Sequence, residues 1–185
     1  MRQVVLLAWC FGFAAWMEDA RTEELAVPPP ASERSIKAAF LFKFLAYVEW
    51  PALAFSAPEA PIVIGVLGAD DIAAELSQIT ASRSANGRPV VVRRLREGES
   101  FAGLHVLYIG RSEAARVPGL VRAAQQRSIL TVGDLPGGMD HGIVITFVVV
   151  DGRVRFEIAI DAAEKSGLKL SSRLLSIAQN VRSGS

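Results

Sequence analysis

Between residues 62 and 132 the apolar positions fall in short runs separated by longer stretches of helical spacing. Ile62–Leu67 is a β-branched run closed by Gly68, the pattern of a buried strand. Asp70 or Asp71 is placed to cap a helix through Ile79, and Asn86-Gly87 turns the chain into a second strand, Pro89–Leu95. His105–Ile109 is a third short strand, Ser112 is placed to cap a helix to Gln126, and Ile129–Val132 is a fourth. Strands that alternate with helices predict a largely parallel sheet covered on both faces.

The period changes after Ile143. Two runs of high β-propensity meet at Asp151-Gly152, and that dipeptide between apolar runs predicts a hairpin because both turn residues must take positive φ. In the second run Val154, Phe156, Ile158 and Ile160 share one face, while Arg155, Glu157 and Asp161 point to the other. Asp161 can cap a helical turn Ala162–Ser166 ended by Gly167, and Ser171 or Ser172 can cap a final helix. Leu174, Leu175, Ile177, Ala178 and Val181 have the spacing of one apolar stripe on that helix. The expected fold is therefore α/β: a mostly parallel twisted sheet of about six strands, helices on both faces, a C-terminal antiparallel hairpin and a terminal helix.

The earliest helix, Ser35–Trp50, is apolar almost all the way round. Ile36, Phe40, Phe44, Tyr47 and Val48 form one stripe, Leu41, Phe42 and Leu45 another, and Lys37, Lys43 and Glu49 interrupt the belt. Such a helix must be covered on more than one side. It is either sandwiched inside one domain or shared with a second subunit, and a homodimer is expected. Pro51 ends it, because proline disfavours helical geometry in the residue before it.

Upstream, Arg2 and the charge-free run Val4–Trp16 read as an export signal over residues 1–20. The run is shorter than the roughly 20 residues needed to span a bilayer. Residues 21–33, with Pro28-Pro29-Pro30, read as a stiff linker, and residues 34–183 as a single domain. The expected location is the periplasm. Cys10 is the chain's one cysteine and lies inside the signal, so the mature protein is expected to hold no thiol. With 20 Lys+Arg against 19 Asp+Glu there is no basic field to attract nucleic acid.

The sequence holds no recognisable catalytic set. There is no G-x-S-x-G elbow. His105 and His141 are the two histidines, and neither has a neighbour at metal-ligand spacing; the first reads as a structural histidine and the second as a loop residue. Gly65-Val66-Leu67-Gly68 lacks nucleotide-loop spacing. Asp70 and Asp71 suggest a phosphoacceptor receiver, but the third strand ends in Gly110-Arg111 where the acceptor aspartate should stand. No catalytic residue, cofactor or metal ligand is assigned. If the strands are parallel, Asp70, Arg111, Ser112 and Asp134 gather at their carboxyl ends, where small ligands of open α/β sheets bind.

Three stretches carry a resemblance: KAAFLFKFLAYVEWP from Lys37, ILTVGDLPG from Ile129, and DGRVRFEIAIDAAEKSGLKLSSRLLSIA from Asp151. In this order they resemble the signatures of the YfiR-like family of bacterial periplasmic proteins, over Ser35 to Val181. The resemblance implies a non-enzymatic repressor that binds the periplasmic sensing domain of a membrane-bound diguanylate cyclase, commonly called YfiN, and lowers cyclic di-GMP. It also leaves open another membrane signalling protein as partner, since family members occur as input modules elsewhere. The contact residues it suggests are Phe156, Glu157, Leu168, Leu170, Leu174 and Leu175; of these Phe156 and Leu174 read first as core, and Glu157, pointing away from the apolar face, as the better contact. Many relatives carry paired cysteines, and this chain departs from that pattern.

Overall fold

Ser32 sets the start of the first helix, because its hydroxyl accepts the Ser35 N–H and satisfies a donor that the helix cannot. In the computed structural model, which describes residues 32–184, that helix, α1, spans Glu33–Phe44 and passes through a 3-10 turn (Leu45–Tyr47) into a two-residue strand, β1 (Val48–Glu49). The expected helix to Trp50 is thus shorter. Val48 and Glu49 pair antiparallel with Leu170 and Lys169 of strand β9 (Lys169–Leu170), and this long-range ladder replaces the last helical turn. The expected leader, Cys10 and most of the linker lie outside the described residues.

The central sheet has eight strands where six were expected. Strand β2 (Ile62–Leu67), helix α2 (Asp70–Thr80), strands β3 (Ser84–Ala85) and β4 (Arg88–Leu95) and strand β5 (Val106–Ile109) come first. A 3-10 turn (Arg111–Arg116), helix α3 (Val117–Gln125), strand β6 (Leu130–Gly133) and a second such turn (Gly138–His141) follow. The chain closes with β7 (Ile145–Val150), β8 (Arg153–Ala159), α4 (Ile160–Lys165), β9, α5 (Ser172–Ser176) and β10 (Asn180–Arg182). The strand order is β10-β8-β7-β6-β5-β2-β4-β3. Its interior pairs β4/β2, β2/β5, β5/β6 and β6/β7 are parallel, and β7/β8 is the expected antiparallel hairpin. The two extra strands, β3 and β10, are short edge pieces.

Both hairpin turns follow from their sequence. Asn86 and Gly87 have φ of 52° and 75°, and Asp151 and Gly152 of 50° and 69°, the positive pair that lets a two-residue turn match strand twist. The strands are apolar on both sides because both faces are covered. Ile62, Ile64, Val66, Val106, Tyr108, Leu130 and Val132 pack in the larger core with Ala38, Leu41 and Phe44 of α1 and Ile72, Ala73 and Leu76 of α2. Leu67, Leu107 and Ile109 face the other way, against Val117, Leu120, Val121 and Ala124 of α3. Each fully buried aliphatic side chain contributes about 1.5–3 kcal/mol of transfer free energy.

The belt on α1 is largely explained within the domain. Phe44 lies 5.0 Å edge-on from Phe156 and 5.8 Å from Phe147, while Phe40 lies 5.6 Å from Phe156. Phe42 meets the Arg83 guanidinium 5.8 Å from its ring. The flank of Ile36, Ala39 and Phe40 stays partly open, as do Phe42 and Tyr47.

Three expected helix caps and the end of the final helix depart from expectation: Asp161, expected to cap a turn Ala162–Ser166, lies inside the first turn of α4, whose N-cap is Ala159. Asp70 and Asp71 lie inside the first turn of α2, whose N-cap is Ala69, and there they face the positive end of the helix dipole. Ser112 sits in the 3-10 turn, and α3 begins at Val117 because Pro118 in its first turn pre-sets helical φ. The final helix stops at Ser176: Gln179 N–H donates to Phe156 O at 2.8 Å, and Asn180, Val181 and Arg182 then pair in parallel with Glu157, Ile158 and Ala159. The apolar stripe expected to run on through Val181 is cut, leaving Ile177 57% and Val181 38% exposed.

Candidate functional site

The carboxyl ends of β2, β5 and β6 open on a crevice of about 430 Å³ beneath the start of α1. Its floor is built by close backbone approach: a Cβ at Gly110 would lie 2.0 Å from Gly68 O, so only glycine lets the loop after β5 pass the loop after β2. That requirement explains why glycine stands where a receiver would carry its aspartate.

Asp134, just beyond β6, is the hub of the crevice. Its Oδ2 accepts Lys37 Nζ at 2.8 Å and lies 3.1 Å from Arg111 Nε, which also donates to Asp134 O at 3.2 Å. Lys37 Nζ reaches Glu33 Oε1 at 2.5 Å as well, and its side chain is only 5% exposed. The hydrogen bond and charge of Lys37 hold the Glu33 carboxyl below its ordinary value. Tyr108 is buried and lines the same floor; burial first, then the Asp134 and Asp71 carboxylates, push its hydroxyl far up, so it stays a neutral group at any physiological pH. Asp134 Oδ1 is buried and closes no hydrogen bond of good geometry, although the Tyr108 hydroxyl faces the carboxylate.

Of the four crevice residues expected from sequence, Arg111 and Asp134 are brought together as a pair. Ser112 is turned away to donate to Gly68 O at 3.2 Å, and Asp70 lines a neighbouring crevice with Arg94 and Glu99. Sequence reasoning missed Glu33, Lys37 and Tyr108 as crevice residues. The available signal was Lys37 itself, a charge interrupting an otherwise apolar helix. Among the described residues no group of three or more His, Cys, Asp or Glu could hold a metal ion.

The six residues expected at a partner surface separate into two sets. Phe156, Leu168 and Leu174 are at most 3% exposed and belong to the core, because α1, α4 and α5 close over that face of β8. Leu170, Leu175 and Glu157 remain partly accessible. Glu157 does face away from the aromatic core, but it is flanked by Thr146 of β7 and Asn180 of β10 and is half-buried, not free. Arg182 ties β10 down through Asp140 Oδ1 at 2.5 Å and the Met139 carbonyl.

His105 is structural, as expected. Its Nδ1 accepts the Val63 N–H at 3.1 Å, its ring stacks on Phe55 at 4.4 Å, and Trp50 Nε1 donates to its carbonyl at 3.0 Å. With Nδ1 accepting, the neutral ring must carry its proton on Nε2, which is buried, faces the Ala54 carbonyl and closes no good hydrogen bond. Desolvation is the main cause that lowers its pKa, and Arg88 adds to it. His141 lies exposed in its 3-10 turn.

The three stretches quoted from the sequence converge in this geometry. Lys37 and Asp134 join the first stretch to the second, while Phe44 against Phe156 and Val48 beside Leu170 join the first to the third. No curated protein matches the chain. Among solved structures it is similar to a conserved domain protein of Vibrio cholerae O1 biovar El Tor, at 14% identity and a TM-score of 0.56, over 82% of this chain and 60% of that one. It is also similar to an ABC domain in complex with L-Trp from Streptococcus pneumonia, at 14% identity and a TM-score of 0.48, over 65% of this chain and 55% of that one. The chain thus spans less than two thirds of either structure, and at such identity the first likeness shows the fold alone. The YfiR/HmsC-like family model, in contrast, matches residues 34–179, across all three stretches and almost the whole described fold. The chain belongs to the YfiR/HmsC-like family.

Proposed function

We propose that the protein is a periplasmic regulator that binds the sensing domain of a membrane-bound diguanylate cyclase and holds it inactive, lowering cyclic di-GMP. Membership of the family suggests a periplasmic regulator rather than an enzyme. Among the described residues no helix is long and apolar enough to cross a membrane. The observation that carries the reading is the convergence of the three family stretches into one packed unit, α1 with β6, β8 and the β1/β9 ladder.

Repression of this kind is differential binding: the regulator silences its target only as far as it prefers the inactive conformation, and a near-complete switch needs about 5.5 kcal/mol of preference. The accessible part of the C-terminal stretch supplies the anchors. Leu170, Leu175 and Ile177 are its accessible apolar positions, and Glu157, on the opposite face of β8 from the aromatic core, is an accessible charge. The partly open flank of α1 at Ile36, Ala39 and Phe40 is our candidate homodimer surface, checked by light scattering. The reading is tested by titrating the purified chain with the periplasmic sensing domains of the membrane-bound diguanylate cyclases of the same organism. Saturable binding supports it, and no binding in the micromolar range counts against it.

A second reading, a small-molecule sensor that uses the crevice, is favoured by one feature: Asp134 Oδ1 is buried there with only the neutral Tyr108 hydroxyl facing the carboxylate and no hydrogen bond of good geometry. A metabolite thermal-shift screen separates the two, since a crevice ligand stabilises in proportion to the logarithm of its concentration.

A further inference from the structure

We propose that the outer edge of β4 is a docking strand for an extended acidic segment of a partner protein. β3 pairs with β4 only at Ser84–Pro89 and Ala85–Arg88, whereas β2 runs along its other side from Val90 to Leu95. From Val90 onward β4 is therefore the outermost strand of the sheet. Among the described residues no further backbone group bonds to this stretch. Six residues make an edge about 20 Å long, and an edge of that length presents a row of unpaired N–H and C=O groups to any incoming strand.

The side chains decide what can pair there. Val91 is 42% exposed, and Arg93 and Arg94 are exposed. Successive strand residues point to opposite faces, so the two guanidiniums flank the edge on both sides. Neither forms a salt bridge among the described residues; Arg93 makes only a long contact to Ala102 O at 3.5 Å. Farther along, Arg94 and Arg96 share a crevice with Asp70, Glu97, Glu99 and Glu113, and Arg116 engages Glu97 and Glu113. Arg93 lies outside that crevice, and Arg94 forms no ion pair within it.

Charge also discriminates between occupants. A second copy of this chain laid along the edge brings like charges together, which disfavours the pairing. A strand with acidic residues at two successive positions meets both arginines, while its backbone supplies the ladder; strand addition takes its affinity from those main-chain bonds and its selectivity from alternate side chains. The arginines therefore keep copies apart and admit an acidic partner.

The test uses a capped synthetic peptide with two successive glutamates flanked by valine and threonine, and a control with two lysines in their place. Backbone amide NMR spectra of the exported chain are recorded with each at low salt. The glutamate peptide is expected to shift, and slow the exchange of, amides within Val90–Leu95, and the lysine peptide to leave them unchanged. The double substitution Arg93→Glu with Arg94→Glu, on exposed positions where folding is little affected, is expected to weaken the glutamate peptide at least about tenfold and to make the lysine peptide bind. Equal response to both peptides, shifts confined to other elements, or no response at millimolar peptide would overturn the proposal. So would edge amides that are protected without peptide and lose protection on dilution, since that marks an interface between copies.

Discussion

Replacing Asp134 by alanine removes the group that holds the crevice together, and the cost can be worked from the surroundings of Lys37. The Lys37 side chain is 5% exposed and the Asp134 side chain 12%. Breaking a buried pair by deleting one partner typically costs 3–5 kcal/mol, because the other charge stays buried without compensation. Here Lys37 keeps Glu33, which is half exposed, and Arg111 loses a partner while 66% exposed to water, so the low end applies, about 3 kcal/mol. For a domain of this size that lowers Tm by about 6–12 °C. The companion change Lys37→Met removes the stranded charge. The double variant Lys37→Met/Asp134→Ala is expected to recover most of the loss, a coupling of at least about 2 kcal/mol in a double-mutant cycle. Urea unfolding followed by fluorescence or circular dichroism reads all four proteins. A cost below about 1 kcal/mol for Asp134→Ala alone, or simple additivity in the cycle, would refute the view that this pair is a buried, mutually dependent unit.

Three further outcomes are expected. His105 has a folded pKa below its ordinary value of 6.5, so the unfolded chain takes up protons first and stability falls as pH drops through 6.5 toward the lowered folded value. His105→Gln should flatten that loss in unfolding curves between about pH 7 and 5, whereas the Glu33 carboxyl, lowered from 4.5, acts only below that window. Glu157→Lys should fold with a loss of no more than about 1 kcal/mol, yet fail to repress, because a reversed interfacial charge costs several kcal/mol; a variant that binds the cyclase like the parent would place the contact elsewhere. Mass spectrometry of the exported protein should find neither Met1 nor Cys10.

The parts of the fold legible in the sequence were those with local causes. Asp151-Gly152 and Asn86-Gly87 announced their turns because the positive φ they adopt is a property of the dipeptide. The runs Ile62–Leu67 and Val106–Ile109 announced a doubly covered sheet because both their faces are apolar. The short strands were illegible for the opposite reason. β1, β9 and β10 have two or three residues each and exist only through partners far along the chain, so no period marks them, and a helical stripe was read through Val181 where a strand begins. The crevice was half legible: Arg111 and Asp134 follow from strand ends facing one way, but the Lys37–Asp134 bond spans 97 positions and no spacing rule reaches that far. Leu168, expected at a partner surface yet 3% exposed, showed the limit of local spacing, which does not say what covers a side chain.

The most direct measurement is the cyclic di-GMP content of cells that lack this protein, compared with the same cells in which it is restored. A periplasmic repressor of a diguanylate cyclase predicts a rise of several-fold on loss and a return to the starting level on restoration, provided the partner cyclase is present. Unchanged cyclic di-GMP in the deletion strain, with that cyclase expressed and active, would contradict the proposed function.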